Sequence, residues 1–127
     1  MSSHNDGRNW QPGHAGPMTR HSLLTALAHH IGKQRGIKGK DLVIKIMGIK
    51  ARPANERHLR DLIQQLREEG HHICGTPITG YYIGQTEDEL NETCLFLYHR
   101  SMTTLKQIAA MKRTALPDLR GQLRLPT

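Results

Sequence analysis

At 127 residues, with 36% hydrophobic side chains and only one Trp, one Phe and three Tyr, the chain has room for one domain with a modest aliphatic core. Eighteen Lys and Arg against eleven Asp and Glu leave a net charge of +7, which points to polyanionic partners. No apolar run approaches the roughly 18 residues of a membrane span, the N-terminus is polar, and two cysteines make no disulfide framework. The expectation is a cytoplasmic protein with reduced thiols.

Residues 1–18 are rich in Gly, Pro, Ser, Asn and His without apolar periodicity, and are expected to form a flexible arm in which Trp10 is exposed. From Thr19, the residues Leu23, Leu24, Leu27, Ala28 and Ile31 recur at helical spacing, with Thr19 or Ser22 as cap and Gly32 as stop. Residues 33–39 read as a basic loop in which Ile37 adds a short strand. A second, short helix is expected over residues 40–47, burying Leu42, Val43 and Ile46, with Gly48 as its left-handed cap. After a turn over residues 49–52, Pro53 opens a third helix, because its missing N–H would lack a partner there anyway. Leu59, Leu62, Ile63 and Leu66 form the buried stripe of that helix, and Gly70 ends it.

A hairpin follows, with strands over residues 71–74 and 80–84 around a tip of residues 75–80, and with Ile73 facing inward. Thr86 and the acids after it suit the start of a helix, where the dipole favours negative charge. That helix is expected to run for about 26 residues to Lys112, and the Pro- and Gly-punctuated tail after it is left irregular.

The charge is unevenly spread. Residues 33–60 hold nine bases against two acids, Asp41 and Glu56. The stripe of the third helix leaves Arg57, Arg60 and Gln64 on one outer line, with Arg67 on the same side and Asn55 and Glu56 in the first turn. Arg pairs bidentately with guanine, and Asn or Gln with adenine, so Asn55, Glu56, Arg57, Arg60 and Gln64 are the candidates for reading bases. Lys33, Arg35, Lys38, Lys40, Lys50 and Arg52 flank that face and are the candidates for phosphate contacts.

The stretch KDLVIKIMGIKARPANERHLRDLIQQLREEGHHICGTPITGYYIG resembles the winged helix-turn-helix domains of bacterial and phage DNA-binding proteins. The resemblance implies an α+β fold, mainly helical with a small hairpin wing. It makes residues 42–48 the positioning helix, 55–66 the recognition helix and 73–83 the wing, and it implies double-stranded DNA as partner. The wing tip departs from the pattern in having no Lys or Arg, which leaves Thr76 and Thr79 as its only polar contacts to phosphate.

The long last helix has more apolar positions than one small core needs. Leu97, Tyr98, Met102, Leu105 and Ile108 are therefore expected to bind a second copy or another protein, whereas Cys94 is expected to be buried as a small hydrophobe. His71, His72, Cys74, Cys94 and His99 invite a metal site, yet no paired zinc spacing occurs, and parity puts His71 and Cys74 on opposite strand faces. Nothing matches a phosphate-cradling loop or an activated nucleophile, so no catalytic residue and no cofactor is expected. The functions left are a sequence-specific DNA-binding protein, either a transcription regulator or a phage replication-origin binder, and a protein-protein adaptor. RNA is a weaker fit, because Tyr81 and Tyr82 offer little stacking surface.

Overall fold

Thr19 and Ser22 cap each other's backbone at the start of the first helix: Ser22 N–H donates to Thr19 Oγ1 at 3.0 Å, and Thr19 N–H to Ser22 Oγ at 2.9 Å. This reciprocal cap satisfies two donors that a helix start leaves unpaired. In the computed structural model, which describes residues 16–112, α1 spans Arg20–Leu27. Pro17 O accepts Ser22 Oγ–H at 2.8 Å, and Met18 is buried in the core, so the chain is packed before Thr19 rather than only after it. The rest of the expected arm, Trp10 included, and the tail after residue 112 lie outside the described residues.

α1 ends a turn before Gly32 because the chain is needed elsewhere. Ile83 N–H donates to His30 O at 2.8 Å and Gly32 N–H to Ile83 O at 2.9 Å, laying this segment beside the hairpin. Ile31 is therefore 45% exposed rather than part of the helical stripe. A single 3-10 turn, Lys33–Arg35, follows. Ile37 then exchanges both backbone hydrogen bonds with Tyr81, at 2.9 and 2.7 Å, as the short strand expected there.

α2 spans Gly39–Met47 and closes on Gly48, whose φ of 71° is left-handed and whose N–H reaches Ile44 O at 2.8 Å. α3 spans Pro53–Glu68 with Pro53 in its first turn. β1 (Ile73–Thr76) and β2 (Gly80–Ile83) pair antiparallel, Ile73 with Ile83 and Thr76 with Gly80. The strand thus starts two residues later than expected and runs two residues further, shrinking the tip to residues 77–79. α4 spans Glu87–Lys112. The described chain is mostly helical with a small two-stranded antiparallel sheet, an α+β architecture.

One core joins α1, α2, α3 and the hairpin. Leu23, Ala26 and Leu27 of α1, Leu42, Val43 and Ile46 of α2, Leu59, Leu62, Ile63 and Leu66 of α3 and Ile73 of β1 are all buried in it. Each helix supplies one apolar edge and turns its polar edge outward. By its internal contacts the chain falls into two compact units, Met1–Leu90 and Asn91–Thr127. In the second, Leu105 and Ala109 are buried in a small cluster with Met102 and Ile108 half-buried against it.

Candidate functional site

The leucine edge of α3 fixes what its other side presents. With Leu59, Leu62, Ile63 and Leu66 turned inward, Arg57 and Arg60 are exposed, and neither hydrogen-bonds or ion-pairs with another described residue. The other members of the expected line behave differently. Gln64 is exposed, but its amide donates to Glu68 Oε2 at 3.0 Å. Arg67 folds back, its Nε–H donating to Ile73 O at 2.7 Å, and so ties α3 to β1 instead of facing outward. Asn55 is half-buried on the same edge as Leu59, four residues on, and Glu56 is half-buried beside it. Only Arg57 and Arg60 are thus displayed without a tie, while Asp61 and Glu68 make the C-terminal half of that face acidic.

The flanking cations divide in the same way. Arg35, Lys40, Lys50 and Arg52 are exposed, and Arg52 occupies the cap position of α3 without supplying a side-chain cap. Lys38 similarly precedes α2 without capping it. Two helix starts therefore keep N–H groups unsatisfied by side chains, each next to exposed cations. Lys33 lies against Glu89: its backbone N–H donates to Glu89 Oε2 at 2.9 Å, and its charge helps to hold the Glu89 carboxyl down.

Lys45 is turned inward. Its ammonium reaches His30 Nε2 at 2.8 Å, and His30 Nδ1 is 2.7 Å from Arg35 O. A charged lysine has only protons to offer, so in that state Lys45 donates to Nε2, while Nδ1 faces the Arg35 carbonyl. Burial lowers the pKa of Lys45, as desolvation disfavours its charge.

The hairpin tip differs most from its expected role. The Thr76 and Thr79 hydroxyls point into the turn: Thr76 N–H donates to Thr79 Oγ1 at 3.0 Å, Thr79 N–H to Thr76 Oγ1 at 3.3 Å and Thr79 Oγ1–H to Gly80 O at 2.9 Å. They hold the turn closed instead of facing a ligand. Nor is the tip without a cation, because Lys38 Nζ donates to Pro77 O at 2.6 Å and to Ile78 O at 2.8 Å. Lys38 is a brace for the tip as well as a surface charge. At the apex Ile78 is 86% exposed. Sequence reasoning passed over it, yet an isoleucine where turns favour Gly, Asn, Asp or Ser is a visible signal.

On α4, Leu97 and Tyr98 are exposed, as is Leu95, whereas Leu105 is buried and Met102 and Ile108 are half-buried. Leu105 is therefore core, not contact surface. Cys94 is exposed rather than buried, and Cys74 is the buried thiol. Among the described residues no group of three or more His, Cys, Asp or Glu side chains is placed to hold a metal ion, and no helix is long and apolar enough to cross a membrane. Compared with protein-family models, with curated proteins and with solved structures, the chain matches none.

Proposed function

We propose that the first unit is a winged helix-turn-helix domain that binds duplex DNA sequence-specifically, with α3 in the major groove, as a transcription regulator or replication-origin binder. The observation that carries this is the pair Arg57 and Arg60, exposed and unpaired on the first half of α3 while its leucine edge is buried. A recognition helix reads bases mainly with its N-terminal residues, and the acids Asp61 and Glu68 keep phosphates from the C-terminal half. Support also comes from the order of elements, with the Ile37 segment and the β1–β2 hairpin as the wing. Lys40, Lys50 and Arg52, beside the open starts of α2 and α3, are the phosphate contacts that set register.

Selection from a random duplex library at two salt concentrations tests this. An enriched motif that persists at the higher salt separates base reading from charge attraction, which weakens steeply with salt. Its two-fold symmetry would also report a dimer. Enrichment of nothing at either salt would defeat the proposal.

A second reading, a protein-protein adaptor, draws on the exposed Leu95, Leu97 and Tyr98 of α4. It requires one stoichiometric protein partner and duplex binding no tighter than about 10⁻⁴ M at physiological salt.

A further inference from the structure

We propose that the wing tip is an apolar wedge that enters the DNA minor groove at Ile78 and opens one base step; the proposal rests on the DNA-binding reading above. No large hydrophobic side chain among the described residues is more exposed than Ile78. A mobile loop would fold such a side chain back against the body, because burial takes apolar surface out of water.

The frame beneath the tip holds it out. Thr76 and Thr79 close the turn on itself through reciprocal hydrogen bonds. Ile37 and Tyr81 exchange two backbone bonds at its base. The backbone of Gly36 passes so near that an added Cβ would lie 2.0 Å from Thr79 O. Lys38 Nζ clamps the Pro77 and Ile78 carbonyls, and the Pro77 ring fixes its own φ. The turn itself and the segment of residues 36–38 thus carry Ile78 on a rigid stem.

The charge around that stem selects the partner. Residues 75–80 hold no acid, and the Lys38 ammonium, which has no carboxylate partner among the described residues, uses two of its three protons on the tip carbonyls. The third is left for an outside acceptor. An apolar point with a cation at its root fits a groove that has phosphates on its walls and stacked bases on its floor. Proteins that kink DNA insert Ile or Pro between base steps in this way, and flexible pyrimidine–purine steps open most readily. A pocket on a protein would need the isoleucine but not the cation.

The test uses the full chain and the duplex best enriched from the random library, with 2-aminopurine placed in turn at each adenine of a pyrimidine–purine step. The fluorescence of one probe should rise on binding, and end-to-end energy transfer should report a bend. Ile78→Ser should abolish both signals and weaken binding about tenfold, whereas Ile78→Leu should keep them. Because Ile78 carries no charge, its variants should leave the salt slope unchanged, while Lys38→Met should lose the fluorescence signal and lower the slope by about one. Circular dichroism and thermal melts of each variant should match wild type in secondary structure. If Ile78→Ser binds and bends the duplex as wild type does, the wedge is wrong while the DNA-binding reading stands. If it instead loses a stoichiometric protein partner with DNA binding intact, the tip is a protein contact and the wedge is equally wrong. No binding of any duplex by wild type would remove both proposals together.

Discussion

Glu89, in the first turn of α4, accepts the backbone N–H of Lys33 on Oε2 at 2.9 Å, joining segments 56 residues apart. Its other oxygen takes the Gln85 N–H at 2.7 Å, while its own N–H donates to Thr86 Oγ1 at 3.1 Å. Hydrogen bonds to a carboxylate favour its ionised form. The Lys33 N–H first, then that of Gln85, therefore holds the Glu89 carboxyl below its usual range.

A pH prediction follows from the sign of that shift. The folded pKa lies below the unfolded one, so the carboxylate stabilises the fold fully above the ordinary Glu value of about 4.3. That stabilisation fades as pH falls through the lower folded value. Urea midpoints of wild type and Glu89→Gln should differ most near neutral pH and converge as pH falls below the ordinary Glu range. A gap that stays constant across this range would show that the carboxylate's charge is not what matters.

Glycine positions give a second test, because two left-handed glycines differ in their surroundings. Gly80 has φ 76° and Gly70 φ 100°, and an alanine in this region costs roughly 1–2 kcal/mol. A Cβ on Gly70 would meet nothing within 4 Å, whereas one on Gly80 would lie 2.5 Å from the Ile37 carbonyl. Gly80→Ala should therefore destabilise by more than Gly70→Ala, by at least about 2 kcal/mol in urea unfolding. Equal losses would mean that the Ile37 segment does not press on the hairpin.

How much of this was legible in the sequence depends on the range of each interaction. The buried edges of α2 and α3, the Gly48 cap and Pro53 at a helix start are all written within a few residues, so periodicity and capping chemistry find them. Ile31 fits the α1 stripe just as well by spacing, but its backbone is taken by Ile83 far along the chain. Lys38 reads as one more loop cation until the fold sets it 39 residues away, against Pro77. Arg67 reads as an outward guanidinium until Ile73 O offers it an acceptor. Helical phase told Arg57 and Arg60 from the leucines, yet it had no means of saying which outward cations would find acceptors on other segments.

The α3 edge itself is open to substitution. Leu66 is fully buried in the main core, while Ile44 on α2 is 44% exposed. Leu66→Ala should cost about 2–5 kcal/mol through lost burial and a residual cavity. Ile44→Ala should cost well under half as much, as a partly exposed position forfeits less. Thermal or urea unfolding measures both, and a small loss at Leu66 would contradict the packing of α3 against α1 and α2.

Base reading and charge attraction should separate in a last pair of variants, one on the outward face of α3 and one in the turn leading to it. Arg60 is exposed with no partner among the described residues, so on a bound duplex its fork is available to a guanine edge. Arg60→Ala should cost about 1–3 kcal/mol on the enriched duplex and relax preference at one base position. Lys50, exposed three residues before Pro53, is placed for a phosphate. Lys50→Ala should weaken binding to enriched and random duplexes alike and lower the salt slope by about one. Titrations of both variants on both duplexes at several salt concentrations give the four comparisons. Identical losses for the two variants on both duplexes would place the arginines of α3 among the phosphate contacts and end the case for major-groove reading.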